Sequence, residues 1–343
     1  MEGAAAGYEP YHFHLLYDVV LSVAGFLICL ATSRAVAGHH PQLRVRLFAL
    51  VIGLPILGEF IAWAAYQVRP APPSPAGQAI LRFHEECRFC PLLDEPLILS
   101  EQPRLILSAL LLLTLLSVVK NWLGILMLGR LAAAYPSFPI DAYPGLSRHL
   151  LGLSSRGGRT LPRVAVSPHS TPLALTFGLR RSTIIISEGM LGQFSRPELE
   201  SVLAHELAHD IRRDNLWNWL MALFRDTFFF LPTTHLAWRQ MVLSQEEACD
   251  DLTILWTGRP LDLARSLVKA WQHPRPRELV LLAGLFLVTP FFRRASAVER
   301  RVKRIVHRHH EIDSTPPPPR PRLAFAALGL VFLLSVLPIA LGC

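Results

Sequence analysis

Long apolar runs alternate with polar, arginine-rich stretches along this chain. Four of the runs reach the roughly twenty residues that cross a hydrocarbon core. They are Leu15 to Val36, interrupted by Asp18; Leu47 to Tyr66, with Glu59 inside it; Leu105 to Leu128; and Leu323 to Leu341. A fifth stretch, Leu279 to Phe292, is shorter, stops at Arg293 and Arg294, and fits a buried or interfacial helix better than a span. The pattern predicts three transmembrane helices in residues 1–128 with an outside loop at about 67–103, a soluble domain over 129–322 long enough to bury its own core, and a fourth transmembrane helix over 323–343. Proline-rich spacers, Pro70 to Pro75 and Pro316 to Pro321, flank the spans.

Inside 129–322 the period changes. Arg163 to Val166 and Thr183 to Ser187 are short β-branched runs bounded by Pro, Gly and Ser, which predicts strands. Thr171 to Leu179 between them reads as an extended edge segment ending at Gly178. Ser195-Arg-Pro-Glu198 offers an N-cap, an early proline and an acid three residues after the cap, so a helix should start there. Its apolar positions, Leu199, Val202, Leu203, Leu207 and Ala208, have helical spacing.

Composition agrees with the runs: hydrophobic residues make up 51% of the 343 residues, too many for an ordinary soluble domain. The start of the chain, Met1 to His14, lacks the basic, short-cored pattern of a cleaved leader, so the first span is expected to be retained. Arg34, Arg44 and Arg46 mark the first connection as cytoplasmic, which puts 129–322 on the cytoplasmic side and both termini outside. Counting Leu279 to Phe292 as a span would place the basic stretch Arg293 to His310 outside, against the charge rule. The net charge of +8 is concentrated beside the spans, where it suits anionic headgroups; no nucleic-acid-reading motif accompanies it, and no nucleic-acid partner is expected. Of the five cysteines, Cys87 and Cys90 form a lone Cys-x-x-Cys in the outside loop, open to a disulfide or to no special role, and Cys29 is a small apolar filler in the first span.

The chemistry is carried by His205-Glu-Leu-Ala-His209. Two histidines four apart share one helix face and can direct imidazole nitrogens to one metal ion, while Glu206 beside them can take a proton from water. The pattern predicts zinc-dependent peptide-bond hydrolysis with one Zn2+ ion. A catalytic zinc site needs a third protein ligand. Gln245-Glu-Glu-Ala-Cys-Asp-Asp251 supplies carboxylates on a helix some forty residues on, and spacing alone leaves Glu246 and Glu247 both open, because neighbours on a helix point about 100° apart.

Leu203-Ala-His-Glu-Leu-Ala-His-Asp-Ile-Arg-Arg-Asp-Asn215, Phe228-Phe-Phe-Leu-Pro232 and Glu246-Glu-Ala-Cys-Asp-Asp251, in that order, resemble the BlaR/MecR-type antirepressor family of membrane zinc peptidases, related to HtpX and the Ste-type CAAX proteases. Ala174-Leu-Thr-Phe-Gly178 and Thr183 to Ser187 look like that family's edge strand and the strand after it, and Val298-Glu-Arg-Arg-Val-Lys-Arg304 like its late basic helix. The resemblance covers about Leu161 to Val306. It implies an α-helical membrane protein with an inserted α+β zincin-like (gluzincin) metallopeptidase domain. It also implies zinc ligands His205, His209 and Glu246, the base Glu206, and Asp250 as a carboxylate orienting a ligand histidine. The edge strand, Ala174, Leu175, Thr176, Phe177 and Gly178, would bind substrate in extended form. The implied partners are the lipid bilayer and a protein or peptide substrate, such as a repressor. HtpX-like quality control, CAAX-type processing, or a zinc-holding sensor without turnover are the alternatives. The sequence departs from the receptor members by ending at Cys343, straight after the last run, so β-lactam recognition through an outside sensor domain is not expected.

Overall fold

The computed structural model describes residues 15–35, 40–67, 103–139, 144–156, 158–180, 182–273 and 295–310. The expectations for the outside loop with Cys87 and Cys90, for Leu279 to Phe292 and for the last apolar run lie outside the described residues. Three long helices come first: α1 (Leu15–Ala35), α2 (Pro41–Gln67) and α3 (Pro103–Ala134). Then follow α4 (Pro144–Arg156), the strands β1 (Arg163–Ser167), β2 (Ala174–Phe177) and β3 (Thr183–Ser187), and the helices α5 (Glu188–Gln193), α6 (Arg196–Arg212), α7 (Asp214–Thr227), α8 (Pro232–Thr257), α9 (Pro260–Gln272) and α10 (Ala295–His310). The architecture is mostly helical with one small mixed sheet. Among the described residues one helix segment, Leu111–Ala134 of α3, is long and apolar enough to cross a membrane.

The sheet has the order β1-β3-β2, with β3 parallel to β1 and antiparallel to β2. Both of its faces are covered, which explains why Thr183 to Ser187 is an unbroken β-branched run rather than an alternating one. Val164, Val166, Ile184 and Ile186 pack with Leu199, Leu203 and Leu207 of α6. Ala165 and Ile185 point the other way, onto Leu128 and Ala132 at the end of α3. Such two-sided packing holds α6 at a set distance from β2, the open edge of the sheet. The loop before β2 is fixed in turn by Gly189, whose N–H donates to His169 O at 2.9 Å. A Cβ at Gly189 would stand 1.9 Å from Ser170 O, so only glycine allows this approach.

Helix α6 begins where the sequence predicts. Ser195 N–H donates to Glu198 Oε2 at 2.8 Å, and Pro197 occupies a first-turn position where its missing N–H costs nothing. It ends at Arg213, a non-glycine residue in the left-handed region at φ 57°. That single turn reverses the chain at once into α7 and returns Asp214 toward α6. Helix α8 then runs back through the molecule. Its N-terminal half packs Ala237, Trp238, Met241 and Val242 against Leu47, Phe48, Val51 and Ile52 of α2, with Met221 and Ala222 of α7 completing the cluster. Its C-terminal half crosses α6.

Candidate metal centre

His205 and His209 stand one turn apart on α6, their rings edge to face with centroids 4.9 Å apart. The partner comes from α8: Glu246 places Oε2 3.6 Å from His205 Nε2 and Oε1 3.6 Å from His209 Nε2. One donor atom from each of the three lies within 4.8 Å of the others. Glu247 turns away, its carboxylate held by Arg44 of α2 at 2.7 Å and approached by Arg300 at 3.6 Å. The tertiary structure thus brings Glu246, not Glu247, to the two histidines.

Each histidine has a carboxylate at its other ring nitrogen. Asp250 Oδ1 lies 3.3 Å from His205 Nδ1, and Asp214 Oδ2 lies 2.9 Å from His209 Nδ1. Two imidazoles and a carboxylate, backed in this way, are the donor set of N/O-ligated catalytic metals, and they fit such an ion. Cys249 Sγ also approaches His209 Nδ1 and Asp214 Oδ2, both at 3.3 Å. Burial and the Asp214 carboxylate push its thiol well above its ordinary pKa, and its hydrogen bond to Asp214 ties it to the same cluster.

Glu206 points instead toward the sheet. Thr176 Oγ1–H donates to Glu206 Oε2 at 2.7 Å. Thr176 is buried on the α6 side of β2, so its side chain serves Glu206 while its backbone belongs to the open edge. Ser187 N–H donates to Leu173 O at 3.0 Å, and bonded pairs alternate along an antiparallel ladder. Leu175 and Phe177 therefore direct their backbone groups into β3, while Ala174 and Thr176 direct theirs outward. Asn215 Nδ2–H already donates to the outward Thr176 O at 3.2 Å. Gly178 closes the strand at φ 108°, a conformation L side chains rarely adopt.

Two residues at the heart of this cluster were not singled out from sequence. Asp214 lies inside the quoted motif but far from the metal-ligand spacing, and only the left-handed turn at Arg213 brings it back. Arg301 of α10 is the larger surprise. It is 3% exposed and donates to Asp250 through Nε at 2.8 Å and Nη2 at 2.7 Å, and to Glu246 Oε2 through Nη1 at 2.6 Å. A signal existed: Val298, Val302 and Ile305 form the buried stripe of α10, and Arg301 is the charged residue on that stripe.

The electrostatics follow from burial plus this arginine. Burial would raise the Glu246 pKa, but Arg301 and then His205 hold it down at about 2. Asp250 is likewise held far below the carboxylate range against burial by Arg301 and His205. Burial would lower His205, yet Asp250 and Glu246 lift it to about 9. Two carboxylates thus face a guanidinium and a proton-bearing imidazole, and a bound divalent cation would take over the role of that proton.

Residues 165–305 match the family described as BlaR1 peptidase M56. That segment resembles an M56 peptidase domain of the BlaR/HtpX type. Similar proteins include a Protease HtpX homolog of Pelotomaculum thermopropionicum, 39% identical over 24% of this chain and 30% of the relative. Protease HtpX of Legionella pneumophila is 40% identical over 19% and 24%, and a Protease HtpX homolog of Methanocaldococcus jannaschii 29% over 35% and 44%. The chain spans less than half the length of each of these relatives. The M56 match begins in β1 and ends in α10, so it contains every residue of the cluster, Arg301 included.

Proposed function

We propose that the chain is an integral membrane zinc endopeptidase that hydrolyses peptide bonds of a protein substrate. The convergence of His205, His209 and Glu246, with Glu206 beside them but not among them, carries this reading. His205 Nε2, His209 Nε2 and one Glu246 oxygen are the ligands of a single Zn2+ ion. When bound, the ion supplies Lewis acidity, polarising the scissile carbonyl and acidifying water. The protein's own groups do the rest. Asp250 and Asp214 hold the two imidazoles in one orientation each. Glu206 is the base: its carboxylate, steadied by the Thr176 hydroxyl, takes a proton from the attacking water and gives it to the departing amine as the C–N bond breaks.

Substrate is held along Ala174 to Gly178. The outward N–H and C=O of Ala174 and the outward N–H of Thr176 suit an extended peptide added to the edge of β2. The M56 domain is assigned to the cytoplasmic side. Arg44, at the start of α2, reaches Glu247 on the ligand helix, which supports the α1–α2 connection and the metal centre sharing one face of the membrane. A cytoplasmic regulatory protein, such as a repressor, is the substrate this orientation favours. The likeness to HtpX proteases supports cleavage of membrane proteins as the second reading.

The test is Glu206→Gln in the full chain, purified and presented with casein. Hydrolysis should fall by about a hundredfold or more while bound zinc stays at the wild-type level, because only proton transfer is lost. Wild-type turnover in that variant, or turnover undiminished by a chelator, would sink the proposal.

A further inference from the structure

The α7–α8 hairpin is tied to the middle of the apolar helices. Thr114 Oγ1 of α3 lies 2.8 Å from Thr227 Oγ1, and Ser117 Oγ and Lys120 Nζ each donate to Asp226 at 2.7 Å. From the other side, Ser22 of α1 shares a hydroxyl–hydroxyl bond with Thr233. All four ties converge on residues 226–233, which bracket the turn of the hairpin.

The opposite face of α3 shows what surrounds this turn. Leu111, Leu115, Val119, Trp122, Leu126 and Met127 form an exposed apolar stripe, each with more than 45% of its surface open. The stripe is about 24 Å long by helical rise, most of a hydrocarbon core. Thr114, Ser117 and Lys120 lie within that length on the side facing α7. The hairpin turn is therefore level with the stripe and continuous with it. Phe229 is 56% and Leu236 42% exposed, and the exposed His235 beside them turns its Nε2 to Phe229 O at 3.0 Å. Of the charges at this level, Lys120 of α3 pairs with Asp226 of α7, and Arg225 pairs with its neighbour Asp226 and lies 4.7 Å over the Trp238 ring of α8. That is how ionisable groups are tolerated at membrane depth. The aromatic turn, Phe228 to Phe230, lies beyond the Lys120–Asp226 pair, on the side toward Thr114.

We infer that the α7–α8 hairpin of the M56 domain is a re-entrant membrane element whose turn, Phe228 to Leu231, sits in the hydrocarbon of the bilayer beside α3. Backbone polar groups at such depth must be satisfied internally. The turn meets part of this demand itself: Phe228 N–H donates to Phe224 O, Leu231 N–H to Phe228 O, and Thr234 Oγ1–H to Leu231 O at 2.7 Å. Helix α8 then leaves the bilayer, and Glu246 lies about 20 Å along it from Pro232. Resting on the peptidase reading above, this sets the metal centre near the headgroups, where it meets substrate chain close to the membrane surface.

Nitroxide labels test the placement in the full chain reconstituted in phosphatidylcholine–phosphatidylglycerol nanodiscs. Phe229→Cys, Leu115→Cys and Leu255→Cys are labelled with Cys87, Cys90 and Cys343 replaced by Ser; Cys29 and Cys249 are buried and stay. Leu115 marks the stripe, and Leu255, 77% exposed on the last turns of α8, marks water. The ratio of oxygen to nickel-chelate collisions at Phe229 should match Leu115 and exceed Leu255 several-fold. Leu236→Cys repeats the measurement should Phe229→Cys not fold. A ratio at the turn equal to that at Leu255, or a watery Leu115, overturns the inference. Casein hydrolysis on the same discs reads the peptidase separately. A watery turn with hydrolysis retained defeats the placement alone, and a lipid-buried turn without hydrolysis defeats the peptidase reading alone.

Discussion

The two halves of α8 are both buried, yet they solve burial in opposite ways. The N-terminal half meets α2 and α7 with apolar side chains, Ala237, Trp238, Met241 and Val242, and needs only close packing. The C-terminal half carries four acids in six residues, Glu246, Glu247, Asp250 and Asp251, and all four are matched by arginines. Arg301 serves Glu246 and Asp250, Arg44 serves Glu247, and Arg304 serves Asp251 at 2.6 Å. A carboxylate out of water is strongly unfavourable unless paired and hydrogen-bonded. The basic helix α10 is thus as much a part of the candidate metal centre as α6. The difference teaches that the acidic half depends on distant segments of chain, whereas the apolar half depends on the volume at each position.

Removing Arg301 should break the acidic half most severely. Arg301→Met leaves Glu246 and Asp250 buried without their cation, a loss of about 3–5 kcal/mol in unfolding free energy, with bound metal falling as well. Unfolding in detergent and metal content, measured together, check it. Arg301→Lys, which keeps the charge and loses the fork, should recover only part of both. A fully stable, metal-replete Arg301→Met would end the argument that the arginine supports the site.

The apolar half should respond in stability alone. Met241 is fully buried, and Met241→Ala should cost about 2–4 kcal/mol through the cavity it leaves, with metal content unchanged in the folded fraction. Lost metal at retained fold would show the two halves to be coupled. Arg44→Met should cost less, about 1–3 kcal/mol, because Glu247 keeps Arg300 nearby and faces away from the histidines. Equal metal loss in Arg44→Met and Arg301→Met would erase the distinction between Glu246 and Glu247.

The smallest effect concerns the start of α6. Burial would raise the Glu198 pKa, but Lys269 and Ser195 lower it below the ordinary glutamate value. A depressed folded pKa contributes stability that is present above the unfolded value and lost as pH falls through the folded one. Glu198→Gln should therefore narrow the stability gap to wild type only on the acid side, below the ordinary glutamate range. A gap that stays constant down the acid limb would show that packing, not charge, holds Glu198.

How much of this was legible in the sequence differs by element. The strands β1 and β3 and the start of α6 stood in local signals: β-branched runs bounded by breakers, and Ser195 with Glu198. The pairing of His205 with His209 needed only helical periodicity. The edge position of β2 was readable as well, yet the side chain of Thr176 was not, because its contact with Glu206 depends on how far α6 stands from the sheet. Asp214 lay in plain view within the motif and still carried no assigned role.

By itself the sequence determined what short-range physics controls: apolar runs long enough for lipid, a capped helix, and two imidazoles on one face with a carboxylate beside them. Those features rest on residues within a turn or two of each other, so no distant contact can alter them much. Only the tertiary structure decided which of Glu246 and Glu247 meets the histidines, that Arg301 pairs with Glu246 and Asp250, and that the α7–α8 turn lies level with the apolar stripe of α3. Each of these depends on the rotation and depth of one helix against another. Packing across long sequence separations sets those quantities, and no local pattern encodes them.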